Sequence, residues 1–399
     1  MSVIIIIGGS FGDEGKGKMT DYLSQGSDFC VRFQGGANAG HTIKIQDKTY
    51  KLRLTPSGVL QGALGILGAG TVINLDVLAK EISELGLNSS NIIIDKKATL
   101  ILPCYIKEDE KKEILRKEWG ETPIGTTKNG IGIAYQHKAL RIAFRAEDIL
   151  NPDVWAKKAR VIVESLSPAS KEEKTKKVEE IVTYMSEKSW FWEEYIYDCG
   201  EILHEAFASG NKVVIEGAQG TLLDITHGTY PFVTSSTTIS GGVSAGIGCA
   251  IPRNSEIIGV TKAYCTRVGA GEFVSEADEE DSNLLRTIGE EYGVVTGRNR
   301  RCGWLNLDEL RYAHRLNGFT QLALTKVDVL DGFKSLYYYV DGELKSHPGW
   351  DDSKGETNYE NLHRNLKSYI RLIEEAIGVR VTLISTGSKR ENTISRPLL

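Results

Sequence analysis

Short apolar runs rich in β-branched residues alternate along the chain with amphipathic stretches of helical spacing. The first run, VIIII, precedes a glycine-rich loop and the helix-like MTDYLSQ, after which DFCVRF returns to an extended pattern. Near-continuous apolar runs are typical of strands in a parallel sheet that is covered on both faces. The later runs lie at 212–220, 257–264, 321–329 and 379–387. The pattern therefore predicts an α/β fold built on a parallel sheet.

Gly, Asp, Thr or Lys residues stand near the end of each later run. The carboxyl ends of parallel strands are where ligands collect, so these residues are candidates for a site. The stretch 157–188 differs, because it is dense in Lys and Glu at helical spacing. We interpret it as a solvated helix face. The chain shows no internal repeat and no low-complexity linker, so composition places no domain boundary.

Composition narrows the possible function classes. The chain has 399 residues, a quarter of them charged, and a formal net charge of −5. This acidic balance argues against non-specific binding of nucleic acid. The segment SVIIIIGG is too short to span a bilayer and lacks the basic flank of a signal peptide. We expect it to be a buried strand, and we expect no membrane partner.

The cysteine pattern favours a reducing, cytoplasmic compartment. No C-x-x-C pair is present, so the sequence predicts neither a zinc site nor a disulfide framework. The six scattered cysteines are Cys30, Cys104, Cys199, Cys249, Cys265 and Cys302.

The loop after the first run almost forms a phosphate-binding P-loop. The motif G-x-x-x-x-G-K-[ST] is matched from Gly12 to Lys18, but Met19 offers no hydroxyl for Mg²⁺. A strand, a glycine loop and a helix start present backbone N–H groups to an anion, which favours phosphate binding. Asp13 and Glu14 would repel a bare phosphate. We therefore expect Asp13 to be a Mg²⁺ ligand, a base, or both.

Two further segments combine glycines with polar side chains. In RFQGGANAGHT at 32–42, small residues surround Asn38 and His41, which favours a ligand-facing role for the histidine. In 124–141, Thr127 and Arg141 could hold a phosphate. A helix cap followed by a surface helix is an equally good interpretation of that second segment.

The segment EGAQGTLLDITHGTYPFVTSS at 216–236 places Gln219 among small residues at a strand end. An amide there can read the edge of a base, and Thr234 adds a hydroxyl. Asp224 and His227 could belong to a catalytic triad, but no G-x-S-x-G elbow accompanies them. We expect structural roles for that pair.

Three arginines lie close together in GVVTGRNRRCGW at 293–304. Their charges repel one another unless anions bridge them, so this loop favours recognition of a carboxylate or a phosphate. A merely exposed basic loop is the alternative.

The segment LTKVDVLDG at 324–332 resembles the guanine-reading Thr-Lys-x-Asp of GTP-binding proteins. The Asp328 carboxylate can accept both the ring N–H and the exocyclic amino group of guanine. Adenine offers the opposite pattern and would leave a buried carboxylate unpaired, which is costly. STG at 385–387 follows the last apolar run and could close the other side of the base.

Together these segments resemble the adenylosuccinate synthetase family. The matching blocks follow one order over nearly the whole chain: GDEGKGK, GGANAGHT, GTTKNGIGIAY, EGAQGTLLDITHGTYPFVTSS, KAYCTRVGAG, TGRNRRCGWLN, LTKVDVLDG and STGSKR. The resemblance implies a single α/β catalytic domain over 1–399, around a large, mostly parallel sheet with P-loop-like GTP-binding loops. It also implies helical excursions at about 100–205 and a homodimer.

The family's reaction explains the acidic loop. It moves the γ-phosphoryl group of GTP to the 6-oxygen of IMP, and the amine of L-aspartate then displaces phosphate to give adenylosuccinate. The 6-oxygen is a poor nucleophile until the N1 proton leaves, so a base must stand beside the phosphate site. By resemblance, Asp13 is that base and ligates Mg²⁺ together with the backbone oxygen of Gly40. His41 is then the general acid, and Gln219 is the third catalytic residue.

The resemblance also assigns the remaining site residues. IMP binding is expected from Asp13, Glu14, Gly15, Lys16, Asn38, Ala39, Gly40, His41, Thr127, Arg141, Gln219, Thr234 and Arg298. Binding of L-aspartate is expected from Val294, Val295, Thr296, Gly297, Arg298, Asn299 and Arg300. GTP binding is expected from Gly12, Asp13, Glu14, Gly15, Lys16, Gly17, Lys18, Gly40, His41, Thr42, Arg300, Lys326, Val327, Asp328, Ser385, Thr386 and Gly387. Arg141 is expected to reach the active site of the neighbouring subunit.

Several departures from the family pattern leave alternatives open. Ser10-Phe11 replaces Gln-Trp, Val295 and Asn299 alter the aspartate loop, and S-S-N-T-T becomes S-S-T-T at 235–238. Room beside Ser10 for a 2-amino group would suit a variant that acts on dGMP or GMP, and viral relatives of the family act on dGMP. IMP is the leading substrate because Asp13 is kept.

A GTP-binding regulatory relative without ligase activity is the other alternative. Against it, His41, Gln219 and the arginine loop have no use in a simple GTP switch.

Overall fold

A ten-stranded sheet organises the fold of this protein, for which a computed structural model describes residues 2–166, 170–293 and 297–396. The strands are β1 (Ser2–Gly8), β2 (Phe29–Arg32), β3 (His41–Ile45), β4 (Lys48–Leu52), β5 (Leu64–Leu67), β6 (Val72–Ile73), β7 (Ile92–Asp95), β8 (Thr99–Leu100), β9 (Ile196–Tyr197), β10 (Lys212–Glu216), β11 (Glu256–Lys262), β12 (Cys265–Arg267), β13 (Arg301–Gly303), β14 (Leu305–Asn306), β15 (Gln321–Thr325), β16 (Ser335–Val340), β17 (Glu343–Pro348), β18 (Val381–Ser385) and β19 (Thr393–Ser395).

Helices connect these strands. They are α1 (Lys16–Leu23), α2 (Leu75–Leu85), α3 (Pro103–Glu118), α4 (Ile131–Leu140), α5 (Pro152–Ser165), α6 (Lys171–Trp192), α7 (Cys199–Ala208), α8 (Val243–Ile247), α9 (Glu279–Ile288), α10 (Leu307–Asn317) and α11 (Arg364–Ile377). None of the helices in the described ranges has the length and apolar character needed to cross a membrane. All six cysteines are free thiols.

The central sheet is almost entirely parallel. Its order is β19-β18-β15-β11-β1-β10-β2-β5-β7-β9, and the pair β18 and β19 is antiparallel while the other neighbours are parallel. The α/β fold with a mostly parallel sheet is thus confirmed. Because β18, β15, β1, β10 and β2 all run the same way, the loops that follow them meet at one edge of the sheet.

β1 is buried on both faces of the sheet. Ile5 and Ile7 belong to one apolar core, whereas Ile4 and Ile6 pack in another together with Met19 of α1. This two-sided burial explains why the run contains no polar position. Met19 is fully buried, so a core side chain fills the place where a P-loop carries its hydroxyl.

The segment between β8 and β10 is largely helical. Helices α3 to α7 occupy 103–208, close to the predicted excursion at about 100–205. The apolar faces of α3 to α6 share a core of their own with α2 and β7, whereas α7 packs in the same core as Ile5 and Ile7 of β1. In α6 the buried residues are Ile181, Tyr184, Met185 and Trp192, so the Lys- and Glu-rich remainder faces solvent as expected.

Candidate active site

Glu14 shapes the loop that follows β1. Its Oε1 accepts hydrogen bonds from the backbone N–H groups of Ser10, at 3.0 Å, and Gly12, at 2.9 Å. Its Oε2 lies 2.5 Å from Lys16 Nζ, and both side chains are buried. A carboxylate paired with an ammonium in this way neutralises charge beneath the loop instead of repelling a phosphate above it. Glu14 and Lys16, two predicted IMP and GTP residues, therefore stabilise the conformation of the loop itself.

Asp13 is the carboxylate of this loop that is turned outward. It adopts a left-handed backbone with φ 59°, between Gly12 at 85° and Gly15 at 94°. About a third of its side chain, 32%, is exposed, and Oδ2 forms an ion pair with Arg300 Nε at 2.9 Å. Gly12 and Gly15 tolerate the left-handed conformations of this sharp turn, from which Asp13 projects outward. The structure thus joins two predicted site residues that are 287 positions apart, 300 minus 13.

A charge cluster centred on the buried Glu291 anchors Arg300 from the other side. We define it as Asp13, Lys262, Glu291, Arg300 and Lys326. Glu291 Oε2 lies 2.5 Å from Arg300 Nη1, and Oε1 lies 3.1 Å from Lys262 Nζ and 3.6 Å from Lys326 Nζ. Burial by itself would raise the pKa of Glu291, but the three cations outweigh it and hold that pKa well below its usual range. The carboxylate therefore stays ionised and orders the cations around it.

Sequence reasoning missed Glu291 and Lys262. Glu291 lies two residues before the arginine loop at 293–304, and Lys262 ends β11 and opens the block KAYCTRVGAG, so position was the available signal. Neither residue belongs to a glycine-rich motif, and their pairing depends on the packing of distant segments.

His41 also has a buried acidic partner. Its Nδ1 lies 2.5 Å from Oε1 of Glu216, at the carboxyl end of β10, and 3.3 Å from Ser57 Oγ. Ser57 donates to the same carboxylate from its backbone N–H at 2.8 Å and its hydroxyl at 2.6 Å. Burial would raise the pKa of Glu216, but His41, Arg32 and Ser57 together lower it to about 2. The ionised carboxylate fixes the imidazole ring, and with Nδ1 held the Nε2 atom is left for a ligand.

The histidine reaches the phosphate loop because Gly17 has no side chain. A Cβ added at Gly17 would lie 2.7 Å from His41 Cβ, too close for any other residue. The predicted acid and the predicted phosphate loop are therefore in direct contact. Glu216 and Ser57 were not among the predicted site residues, although Glu216 opens one of the quoted segments.

A second group of predicted residues lies at the ends of β2 and β10. Asn38 Nδ2 lies 3.5 Å from Thr234 Oγ1. Gln219 has a left-handed backbone, φ 58°, and its buried Oε1 lacks a hydrogen-bond partner among the described residues. A buried amide oxygen without a partner is costly, and a bound ligand that donates a hydrogen bond would remove that cost.

Arg53 ties Thr127 to this group. Its Nε donates to the carbonyl of Ala37 at 2.8 Å, and its Nη2 donates to Asn129 Oδ1 at 2.9 Å. The Asn129 amide in turn donates to the Thr127 carbonyl at 3.1 Å. Arg53 was missed by sequence reasoning because it lies between Leu52 and Leu54 in a stretch without a motif.

The predicted aspartate loop is partly described. Arg298 Nη2 donates to the Gly125 carbonyl at 2.9 Å, which brings that loop next to the 124–127 segment. Gly297 and Asn299 are exposed. The predicted residues Val294, Val295 and Thr296 lie outside the described residues.

Arg141 is the residue predicted to reach the neighbouring subunit. It ends α4 with a left-handed backbone, φ 65°, and its side chain is exposed.

Asp224 is buried and accepts hydrogen bonds from the backbone N–H groups of Thr226, at 2.9 Å, and Thr238, at 2.7 Å. The structural role expected for Asp224 is thus confirmed, and His227 is an exposed residue of the same turn.

The predicted guanine-reading segment packs directly on the first loop. Thr325 Oγ1 donates to the Glu14 carbonyl at 2.6 Å. Lys326 has φ 62° and donates to the Gly289 carbonyl at 2.5 Å. Asp328 is half-buried, and burial raises its pKa. Val327 is fully buried, so it supports the segment from the core.

Lys18 and the predicted loop at 385–387 are in contact. The Lys18 ammonium donates to Ser385 Oγ at 2.7 Å and to the Gly387 and Asn392 carbonyls, both at 2.8 Å. Lys18 is one of the predicted GTP residues, and in the structure its ammonium contacts the C-terminal loop. Burial lowers the pKa of Lys18 to about 7. Thr386 is buried and donates to the Glu356 carbonyl at 2.7 Å.

The donor set at the first loop consists of hard oxygen atoms. No group of three or more His, Cys, Asp or Glu side chains in the described ranges is placed to hold a metal ion. Mg²⁺ usually takes one or two carboxylates together with substrate phosphates and water. The outward carboxylate of Asp13, beside a loop of the phosphate-binding type, matches this coordination preference.

Ser10 and Thr237, two of the departures in sequence, lie in different surroundings. Ser10 is buried, with its Oγ 3.9 Å from Cys265 Sγ. Thr237 is exposed.

Comparison with known proteins gives consistent matches. The family model described as adenylosuccinate synthetase matches residues 5–394. Adenylosuccinate synthetases of Thermodesulfovibrio yellowstonii and Thermoanaerobacter sp. strain X514 are 42% and 40% identical, each over 99% of both chains. The fully ligated adenylosuccinate synthetase of Plasmodium falciparum superimposes with a TM-score of 0.91 at 33% identity, over 100% of both chains.

A more distant solved structure shares the fold. The cyanophage S-2L succinoaminodeoxyadenylate synthetase, bound to dGMP and dATP, gives a TM-score of 0.67 at 18% identity. It covers 100% of this chain and 96% of its own. At that identity the likeness shows the fold alone.

Proposed function

The chain belongs to the adenylosuccinate synthetase family, and we propose that the residues gathered at the carboxyl edge of its sheet carry out the family's ligation. The protein is a GTP-dependent ligase that joins L-aspartate to IMP to give adenylosuccinate, GDP and phosphate. The neighbouring alternatives, a dGMP- or GMP-using variant and a regulatory GTP-binding relative, are not favoured. We further propose that 1–399 works as one catalytic domain.

Asp13 is the base in this proposal. The observation that supports this role is that the two adjacent acids have different surroundings. Glu14 is buried and bonded to its own loop, whereas Asp13 is turned outward and held by Arg300. A base positioned beside the phosphate loop can take the N1 proton of IMP and raise the electron density on the 6-oxygen. That oxygen then attacks the γ-phosphorus of GTP.

His41 is the acid and Gln219 a purine-binding residue. Glu216 holds the imidazole by Nδ1, so Nε2 can donate to the bridging or departing oxygen. The partnerless Oε1 of Gln219 can accept a hydrogen bond from the purine. Asn38, Ala39, Thr127, Thr234 and Arg298 complete the proposed IMP site. Arg53 joins the loop before Ala39 to the loop after Thr127, and separate hydrogen bonds join Asn38 to Thr234 and Arg298 to Gly125.

Aspartate and GTP are assigned to the flanking loops. Residues Val294 to Arg300 form the proposed aspartate site, with Arg300 shared between aspartate and GTP. GTP is proposed to lie along Gly12 to Lys18, Gly40 to Thr42, Lys326 to Asp328 and Ser385 to Gly387. The contacts of Thr325 with Glu14 and of Lys18 with Ser385 support this path, because they join its separate segments.

Mg²⁺ is proposed to be held by the Asp13 carboxylate and the Gly40 carbonyl together with substrate oxygens. When bound, it neutralises charge on the transferring phosphoryl group. The backbone N–H groups at the start of α1 and the cations of the charge cluster would also stabilise the negative charge of that group.

A homodimer in the cytoplasm is the proposed working form. Arg141 is exposed at the end of α4, beside Leu140, which is 49% exposed. An arginine and an apolar residue together on a surface suit an interface, and Arg141 would reach the nucleotide phosphate in the neighbouring subunit.

A substrate panel tests the proposal. The enzyme is given GTP, aspartate and one of IMP, dIMP, GMP or dGMP, and the products are identified by mass. We expect adenylosuccinate from IMP, and we expect phosphate release to require both aspartate and the purine monophosphate. Predominant 2-amino product in a direct competition of IMP with dGMP would overturn the choice of substrate. GTP hydrolysis without either partner would favour a GTP switch.

A further inference from the structure

Lys18 sits in the phosphate loop by sequence but points away from it in the fold. Its ammonium has three N–H donors, and it contacts three acceptors, Ser385 Oγ and the carbonyls of Gly387 and Asn392, at 2.7 to 2.8 Å. The side chain is buried, 8% exposed. With all its donors engaged and little access to solvent, this ammonium is not free to hold a phosphate oxygen.

The same helix makes a second connection one turn further on. Asp21 is fully buried and forms a bidentate ion pair with Arg390, with Nε to Oδ2 at 2.6 Å and Nη2 to Oδ1 at 2.8 Å. The backbone N–H of Arg390 also donates to the Lys44 carbonyl in β3 at 3.2 Å. Lys18 and Asp21 are three residues apart, so they lie on one face of α1. Two ties of opposite polarity thus fasten the segment 385–392 to this helix.

The position of that segment matters for the guanine site. Ser385 to Gly387 follow β18, which is the direct neighbour of β15, and β15 leads into Lys326 and Asp328. The negative charge of Asp328 acts to raise the pKa of Lys18, so the two side chains lie near each other. A loop that is free to move on that side would present its groups to the base in many orientations, and the binding of the base would weaken.

We propose that Lys18 is a positioning residue for the guanine base: with the Asp21–Arg390 pair, it locks the 385–392 segment in place, and it does not bind the phosphates of GTP. This inference rests on the proposed GTP site and changes the role of one of its members. The start of α1 then serves the phosphates through its backbone N–H groups, while the buried face of the same helix that carries Lys18 and Asp21 serves the base.

The test separates the base from the phosphates by measuring two probes with calorimetry. Guanosine reports on the base site, and inorganic tripolyphosphate reports on the phosphate loop. In Lys18→Met we expect the Kd of guanosine to rise at least about tenfold while that of tripolyphosphate changes less than about twofold. Arg390→Met removes the second tie and should have the same effect as Lys18→Met: a higher Kd for guanosine and a nearly unchanged Kd for tripolyphosphate. Lys389→Met is the matched control, because Lys389 is an exposed cation of the same loop.

Two results would overturn the inference. One is a loss of tripolyphosphate binding as large as the loss of guanosine binding, which would return Lys18 to the phosphates. The other is unchanged guanosine binding in Lys18→Met. If circular dichroism shows that Lys18→Met does not fold, Arg390→Met decides by the same criteria. Turnover of the parent enzyme is measured separately, so a failure of the ligase assignment is distinguishable from a failure of this one.

Discussion

Oε1 of Glu216 lies 2.5 Å from Nδ1 of His41, and the same carboxylate accepts two hydrogen bonds from Ser57. The pair connects the end of β10 with the start of β3, two elements whose sequence separation is 175 residues, 216 minus 41. A histidine that moves a proton needs one ring nitrogen held while the other works. Glu216 supplies that hold from a fully buried position.

Glu216→Gln should lower kcat without a comparable rise in the KM for GTP or IMP. The amide keeps the size of the side chain but loses the charge that fixes the imidazole ring, and proton transfer contributes about 10²–10⁴-fold to such reactions. We expect kcat to fall by about 10²-fold in steady-state assays. Glu205→Gln, at an exposed position of α7, is the control. A normal kcat in Glu216→Gln would remove the pair from the mechanism.

Asp13→Asn should abolish ligation while GTP still binds. The amide cannot accept the N1 proton of IMP, and it is a poorer ligand for Mg²⁺, so a loss of at least about 10³-fold in kcat is expected. Phosphate release and calorimetric GTP binding are measured on the same preparation, with the exposed Asp47→Asn as control. Turnover near that of the parent would show that another group is the base.

Asp328→Asn should weaken the preference for guanine. The carboxylate accepts two donors of guanine, and an amide in its place presents a donor to one of them. We expect kcat/KM for GTP to fall by about 10²-fold and the use of xanthosine triphosphate to improve relative to GTP. Comparison of GTP, ATP and xanthosine triphosphate checks this. An unchanged order of preference would count against the guanine-reading role of 325–328.

Arg141 should act across the subunit interface. Its side chain is exposed at the end of α4, where a neighbouring subunit has access to it. Arg141→Leu and Asp13→Ala are each expected to be inactive, and a mixture that exchanges subunits should recover activity because one hybrid site then holds both native residues. Subunit exchange is verified with differently tagged copies. Exchange without recovery would contradict a shared active site.

Glu309→Gln should stabilise the protein above neutral pH. Burial raises the pKa of Glu309 to about 7, and its buried Oε2 has no hydrogen-bond partner among the described residues. A carboxyl whose folded pKa exceeds its unfolded pKa supports the fold below the unfolded pKa, and this support is lost as pH rises through 7. The neutral amide avoids that loss. We expect a gain on the order of 2 kcal/mol in the free energy of unfolding at pH 8.

Urea denaturation at pH 4.5 and pH 8 measures the Glu309→Gln effect. The gain should be much smaller at the lower pH, where the parent carboxyl is protonated in the folded state. Glu360→Gln, whose native side chain is 81% exposed, is the control. An equal gain at both values would assign the effect to packing instead of ionisation.

The sequence by itself determined the parts of this protein that depend on local pattern. The apolar run of β1 predicts a strand buried on both faces, and the glycines at 12–18 predict a turn into a helix that presents N–H groups. Parallel strands place the loops that follow them at one edge, so the neighbourhood of Asp13, Gln219 and Asp328 was foreseeable once the fold class was known. The first two inferences need only neighbours in sequence and the rules of backbone hydrogen bonding, and the third also needs the parallel fold class.

The tertiary structure decided which side chains meet. Glu216 with His41, Glu291 with Arg300, and Lys18 with Ser385 are pairs of residues 9 to 367 positions apart, and the alternation of apolar and polar positions carries no information about them. In the sequence, a charged residue at a strand end looks the same whether its side chain contacts a ligand or a buried residue of opposite charge. Its role is fixed by the order of strands in the sheet and by how far burial strengthens one ion pair over another, and both arise only when the chain has folded.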